Sequence, residues 1–406
     1  MKRRDFLRSG VAAVAATAAI TGLGVEAAEQ GQSQGQAQGQ SVIKRYNKIG
    51  KTDLKMSDIS FGTGSLPSAS MVLRAVDRGI NYFDTAPDYG HAEEHIGEAM
   101  KNLRRDKVII ASKFCNPLAY PAHLPAGSTK EQYVKAVEDS LKRLKTDYLD
   151  ICFVHAMGEM SKELDMEKKR LLDDNMLSAF DSLKKAGKVR YLAASSHGPT
   201  NMEDLLMAAV VSGKFDLIMP SFNFLKFPKL PDIIKEAKGK GVGVVAMKTL
   251  AGAKEMNLDF KTADFAQSAF KWVLKHPEVN GLVVTMKNLS DLDNYIPASG
   301  GDFTARDQKV LDAYARAYGH SYCRTGCGQC EDACARGVEI ANTLRYQMYF
   351  KDYGMEKRAI LSYSALSAKA DACLTCAAPT CTGACPYGLP VAQMLQAAHQ
   401  SLTLYA

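Results

Sequence analysis

The feature that most restricts how this chain can fold is an alternation, repeated eight times, between a short apolar run and a longer stretch of helical pattern. The runs are Ile59–Gly62, Ile80–Asp84, Val108–Ser112, Leu149–Val154, Val189–Ala194, Leu217–Pro220, Val242–Met247 and Leu282–Val284. Between them lie segments such as Glu131–Lys145, Asn175–Lys185, Asn201–Val211 and Ala263–Lys275, which predict helices. Strands that are continuously apolar and joined through helices imply a parallel sheet covered on both faces. Eight such units over roughly 250 residues is the size of a closed (β/α)8 TIM barrel, an α/β fold. An open doubly wound sheet fits less well, because no G-x-G-x-x-G follows the first run; Gly62-Thr63-Gly64 is only a fragment. The segment from Ile43 to Leu54 alternates with period two and predicts a hairpin closing the barrel bottom. The barrel is thus expected over residues 42–300, with a small C-terminal α-helical domain over 301–406 built from Thr304–Tyr318 and the helical stretch 335–372.

Such barrels place their chemistry at the carboxyl ends of the strands. The second run ends on Asp84, and a Pro-Asp-Tyr-Gly turn follows, setting Tyr89 ahead of a helix from about Glu93 to Leu103. The third run ends on Ser112-Lys113 and the fourth on Phe153-Val154-His155. A phenol with a pKa near ~10 donates poorly at neutral pH unless a nearby cation lowers it, and Lys113, kept charged by Asp84, is the expected cation. His155 can hydrogen-bond a carbonyl oxygen or share the proton, so the four together make a donor for a carbonyl that is receiving hydride. Each has a plainer reading alone: Asp84 as a turn or cap residue, Lys113 as a solvated strand end, His155 as a satisfied core histidine. Four at consecutive strand ends outweigh those readings. His91-Ala-Glu-Glu94-His95 also fits the H-x-x-E-H pattern of some zinc proteases. No partner carboxylate accompanies it and the turn and helix already account for the segment, so this match reads as accidental.

The order and spacing of four motifs resemble the aldo-keto reductase family. They are F-D-T-A-x-x-Y-G-x-x-E from Phe83, A-S-K ending on Lys113, D-Y-L-D-I-x-x-x-H ending on His155, and G-K-V-R-Y-x-x-x-S ending on Ser195. The resemblance covers about Val42 to Ala298. It implies that Tyr89 is the general acid, tuned by Asp84, Lys113 and His155, and that NADP(H) lies extended across the barrel mouth without a Rossmann unit. The positions it assigns to cofactor binding are Gly62, Thr63, Ser195, Ser196, Asn223, Met247, Lys248 and Lys287. Ser195 and Ser196 take the place of a Ser-Asn pair that holds the carboxamide, and Lys287 that of a clamp on the 2′-phosphate. Ser196, Met219 and Met247 depart from the family's Asn, Gln and stacking Tyr.

Ten cysteines are present, and eight of them follow residue 320 as Cys323-x3-Cys327-x2-Cys330-x3-Cys334 and Cys373-x2-Cys376-x4-Cys381-x3-Cys385-Pro386. Two compact tetrads resemble bacterial-type ferredoxin motifs for two [4Fe–4S] clusters, in which the fourth Cys of each run ligates the other cluster. The resemblance implies one set of Cys323, Cys327, Cys330 and Cys385, and another of Cys373, Cys376, Cys381 and Cys334. Two zinc sites of four cysteines each and a disulfide framework stand as alternatives. Cys115 and Cys152, outside the runs, read as ordinary barrel residues.

Residues 1–28 resemble a twin-arginine (Tat) signal peptide, with Arg3-Arg4, an Ala/Val stretch too short to span a membrane, and a small-x-small site at Val25-Glu-Ala27. A Gln/Gly tract over 29–41 has nothing to bury and reads as a flexible linker. The twin-arginine route carries folded, loaded proteins, so signal and cluster motifs support one another. The formal charge of +7 is spread without a dense basic run, which argues against nucleic acid as a partner. The expected protein is an exported, periplasmic or extracytoplasmic oxidoreductase with no stable membrane anchor. Its barrel passes hydride to or from a small carbonyl or alcohol, and its tail exchanges single electrons with a redox partner protein. The alternative is an electron carrier or docking protein whose barrel does not catalyse.

Overall fold

The computed structural model describes residues 41–403 apart from 119–121, 162, 198–200, 226–228, 252–261 and 325–326. The expected signal peptide and nearly all of the linker lie outside the described residues. An antiparallel hairpin, β1 (Tyr46–Lys48) and β2 (Lys55–Ser57), precedes eight parallel strands. These are β3 (Ile59–Gly62), β4 (Tyr82–Asp84), β5 (Ile109–Lys113), β6 (Leu149–Val154), β7 (Val189–Ser196), β8 (Leu217–Pro220), β9 (Gly243–Ala246) and β10 (Gly281–Thr285). They follow one another around a closed barrel, β10 returning to pair with β3. The expected (β/α)8 architecture is the observed one.

Strand alternation divides the apolar residues between two cores. Ile151 and Phe153 of β6 cluster with Ala111, Leu217, Met219 and Val245 inside the barrel, whereas Cys152 and Val154 join the outer core beneath the helices. The hairpin adds Ile49, Leu54 and Met56 to the inner cluster and so stoppers the bottom. Its tip comes so close to β9 that a Cβ on Gly50, which has φ +47°, would lie 2.4 Å from the carbonyl oxygen of Gly241. Only glycine combines that backbone angle with that approach.

The helix Ala305–Tyr318 opens with a capping box between Thr304 and Asp307. It lays Val310, Leu311 and Tyr314 on Phe265 and Ala269 of a barrel helix, with Tyr314 and Phe265 stacked at 4.5 Å. The first helix after residue 300 therefore packs against the barrel. The cysteine-bearing part contains the helices Ile340–Tyr353, Glu356–Ser364 and Val391–Leu402. Its core gathers Val338, Ile340, Leu344, Leu389, Val391 and Leu395 around Cys330, Cys373 and Cys381. Among the described residues no helix is long and apolar enough to cross a membrane.

Candidate active site at the barrel mouth

Adjacent strand ends bring the four sequence-predicted catalytic residues together. Parallel pairing sets Asp84 of β4 beside Ala111 of β5, and Lys113 of β5 beside Phe153 of β6, two residues before His155. Lys113 Nζ donates to Asp84 Oδ1 and Oδ2 at 2.8 and 2.9 Å and to the Thr85 carbonyl at 2.7 Å. All three ammonium protons are thus engaged. The same nitrogen lies 4.9 Å from the centroid of the Tyr89 ring, and that ring meets the His155 imidazole edge-on at 5.9 Å.

The electrostatics differ from the expectation in one respect. Burial raises the Tyr89 phenol well above its usual range, and the carboxylates of Asp84 and Asp88 raise it further. The Lys113 charge, already paired with Asp84, does not reverse this. Tyr89 is therefore a firmly protonated donor rather than an acidified one. Burial likewise raises the Asp84 carboxyl against the pull of Lys113. It also pushes His155 well below the usual imidazole value, helped by His123 and Lys113, so this ring is neutral at physiological pH.

The loop after β6 is held from two sides. Arg170, paired with Glu167 at 2.8 Å, donates to the carbonyls of His155 and Ala156, the latter a residue with φ +49°. From the other side, Ser195 Oγ accepts from the Ala156 amide at 3.1 Å and Ser196 Oγ donates to the Met157 carbonyl at 2.7 Å.

Several predicted cofactor positions thus have a structural duty as well. Thr63 Oγ1 donates to the Asp84 carbonyl at 2.8 Å, and Gly62 pairs with Asp84 in the sheet. Asn223 donates through Nδ2 to the Lys248 carbonyl and accepts from the Leu225 amide, both at 3.0 Å. Met247 packs against the barrel interior, where Met219 is buried. Lys287 is exposed just before the helix Leu289–Tyr295.

Lys248 is covered. Its Nζ lies 5.0 and 5.1 Å from the rings of Tyr349 and Tyr353, which the tail helix Ile340–Tyr353 lays across the mouth. Burial alone would lower this lysine's pKa, but the two phenols raise it. Arg345 of the same helix reaches Glu159 at 2.6 Å, and Met348 packs onto the cluster of Leu225, Ala251 and Tyr322. The sequence placed the tail on the barrel; that it meets the mouth was outside its reach.

None of the eight tail cysteines is joined in a disulfide. Their neighbourhoods sort them into two sets that cross between the runs. Cys323 is flanked by Cys330, Cys327 and Cys385, while Cys373 is flanked by Cys334, Cys381 and Cys376. Burial, reinforced by neighbouring sulfurs, pushes Cys330 up to about 12 and Cys373 up to about 11. Cys330 and Cys373 therefore resist ionisation, and a bound cation is what would convert them to thiolates.

Comparison with known proteins places the barrel. Residues 59–259 match the aldo/keto reductase family model. Over these residues the barrel resembles an aldo/keto reductase domain. The uncharacterized oxidoreductase YqkF of Bacillus subtilis is 31% identical over 196 residues, which make up 46% of this chain and 58% of that protein. L-galactose dehydrogenase of Arabidopsis thaliana is 25% identical over 288 residues, covering 62% of this chain and 86% of the relative. Among solved structures, a putative aldo-keto reductase from Pseudomonas aeruginosa superposes with a TM-score of 0.52 at 25% identity, covering 64% of this chain and 96% of that one. The family match ends before the first tail cysteine, so the thiol quartets lie beyond the part that defines the aldo/keto reductase domain.

Proposed function

We propose that this protein is an exported oxidoreductase in which the aldo/keto reductase domain moves hydride between NADP(H) and a small carbonyl or alcohol, while the tail carries two [4Fe–4S] clusters. The observation that carries the reading is the convergence of Tyr89, Lys113, Asp84 and His155 at adjacent strand ends. NADP(H), when bound, supplies or takes the hydride. Tyr89 holds the proton that a reduced carbonyl oxygen needs. Lys113 keeps a positive charge beneath the phenol ring and locks Asp84, and neutral His155 offers an imidazole to the same oxygen.

The hydroxyl and amide inventory supports nicotinamide. Ser195 accepts within the fold and keeps its O–H to donate, whereas Ser196 donates within the fold and keeps lone pairs to accept. Asn223 retains its second Nδ2 proton. One donor and one acceptor on neighbouring residues complement a carboxamide, which carries the opposite pair. Lys287 is the exposed cation for a 2′-phosphate. For the clusters, the crossed quartets supply four sulfur donors each. Two compact runs of four cysteines favour polynuclear clusters, which would pass single electrons to a partner protein. Arg3-Arg4 and the following Ala/Val stretch support export of the folded, loaded chain.

The test is Tyr89→Phe, assayed with NADPH against a panel of small aldehydes and ketones. Turnover should fall by about 10²–10⁴-fold with cluster absorbance unchanged; undiminished turnover overturns the assignment. The covering of Lys248 by Tyr349 and Tyr353 favours one second reading, an electron carrier with a non-catalytic barrel. A protein that binds neither NADPH nor NADP⁺ in calorimetric titration is that carrier.

A further inference from the structure

Beside Tyr89, on the side of His155, four side chains that nothing in the hydride chemistry calls for as a group point at one another. Asp88, Cys115, His123 and His155 are all buried, and one ligand atom from each lies within 4.8 Å of every other. We propose that these four residues bind a single divalent transition-metal ion of the zinc class.

The spacing fits such an ion. Cys115 Sγ is 3.1 Å from His155 Nδ1 and 3.4 Å from His123 Nδ1, and His155 Nδ1 is 3.9 Å from Asp88 Oδ2. With bonds of ~2.0 Å to nitrogen and oxygen and ~2.3 Å to sulfur, tetrahedral donors stand roughly 3.3–3.6 Å apart, so the observed distances bracket the required ones. The chemistry fits as well. One thiolate, one carboxylate and two imidazoles suit a borderline divalent cation, and their two negative charges neutralise it. Binding breaks the Cys115 S–H bond, forms the metal–sulfur bond and releases the proton to solvent.

The donors come from three consecutive mouth loops. Asp88 follows β4, Cys115 and His123 follow β5, where they face each other as an antiparallel bridge, and His155 follows β6. A supporting carboxylate is already in place. Glu159 Oε2 lies 3.7 Å from Nε2 of His123, the ring nitrogen turned away from Cys115, and its other oxygen is 3.0 Å from His197 Nδ1 and 2.6 Å from Arg345 Nη2. A carboxylate behind a ligating histidine is a recurrent device for fixing its tautomer and orientation. Four protein donors fill a tetrahedron, so the ion is a positioning one. It ties the mouth loops together and, by holding His155 through Nδ1, leaves the proton on Nε2. The site stands whether or not the barrel transfers hydride.

The test uses full-length protein with its clusters intact, zinc and cobalt(II) being the probes. The wild type should retain zinc one-to-one with protein through dialysis and take up cobalt in its place with a sulfur-to-cobalt charge-transfer band. Cys115→Ala and His123→Ala should lose that ion while keeping the cluster absorbance, and Glu159→Gln should bind it about 10–100-fold more weakly. Zinc-edge X-ray absorption of the wild type reads the site without any variant: one sulfur with three lighter neighbours is expected, and an all-sulfur shell overturns the proposal by placing zinc in the tail. A wild type that holds no zinc and takes up no cobalt also overturns it, as does uptake unchanged in Cys115→Ala and His123→Ala. None of these readouts depends on Tyr89 or on turnover.

Discussion

Replacing Lys113 by Met should cost the barrel several kcal/mol at neutral pH, and much less in acid. Lys113 and Asp84 are 2% and 7% exposed and meet through two bonds of 2.8 and 2.9 Å. Breaking a buried pair by removing one partner typically costs about 3–5 kcal/mol, because a desolvated charge is stranded. Protonation sets an upper limit on that stranding. Neutralising a carboxyl of ordinary pKa ~3.9 costs about 4 kcal/mol at pH 7 and about 1.5 kcal/mol at pH 5. The lost bond to the Thr85 carbonyl adds ~1 kcal/mol at either pH. The variant should therefore be destabilised by about 5 kcal/mol at pH 7 and about 2.5 kcal/mol at pH 5.

The sign follows from linkage. In the variant the folded-state carboxyl titrates above its unfolded value, so its stabilising contribution is complete below ~pH 4 and is lost as pH rises. Urea unfolding followed by tryptophan emission is the assay. Trp272 is the sole tryptophan and lies on a barrel helix, so the signal reports the barrel rather than the tail. Asp84→Asn combined with Lys113→Met should recover most of the loss, since no charge is left behind. A penalty below ~1 kcal/mol at pH 7, or one that does not change with pH, refutes the reasoning.

Three further outcomes are expected. In Cys385→Ser, alkylation mapped by mass spectrometry should expose Cys323, Cys327 and Cys330 while Cys373, Cys376 and Cys381 stay protected; Cys334→Ser should give the converse, and an uncrossed pattern would contradict the observed grouping. Gly50→Ala should cost about 1–3 kcal/mol more than Gly213→Ala, because both have positive φ but only the first drives a Cβ into a backbone oxygen, a comparison read from urea midpoints. Tyr349→Ala should tighten NADPH binding about 5–30-fold in calorimetric titration, since it removes roughly 1–2 kcal/mol of competition for the Lys248 ammonium.

Much of this architecture can be read from residue pattern alone. β6 and β8 run from Leu149 to Val154 and from Leu217 to Pro220, where the apolar runs begin and end, because every residue of these strands is buried on one face or the other. Asp84, Lys113 and His155 were legible for the same reason, standing at the ends of such runs. Tyr89 was found as a residue but not in its electrostatics: motif spacing reports that a cation is near, not that Asp84 has already neutralised it. Cys115 looked like barrel filler because its partners, Asp88, His123 and His155, sit on three separate loops up to 67 positions apart in the chain. The one signal in the sequence was a histidine eight residues beyond the cysteine. The zinc-protease pattern lies apart from that group: His91 and Glu94 are exposed, and neither His91 nor His95 joins the buried residues. The meeting of Lys248 with Tyr349 and Tyr353 spans a hundred residues and carries no motif.

The stoppered base of the barrel has a consequence for where the described chain starts. Ile43 donates its amide to the Arg78 carbonyl, and Arg78 in turn holds the Ser41 carbonyl, both on the side where the strands begin. The described chain therefore starts at the pole opposite the cysteine-bearing cap.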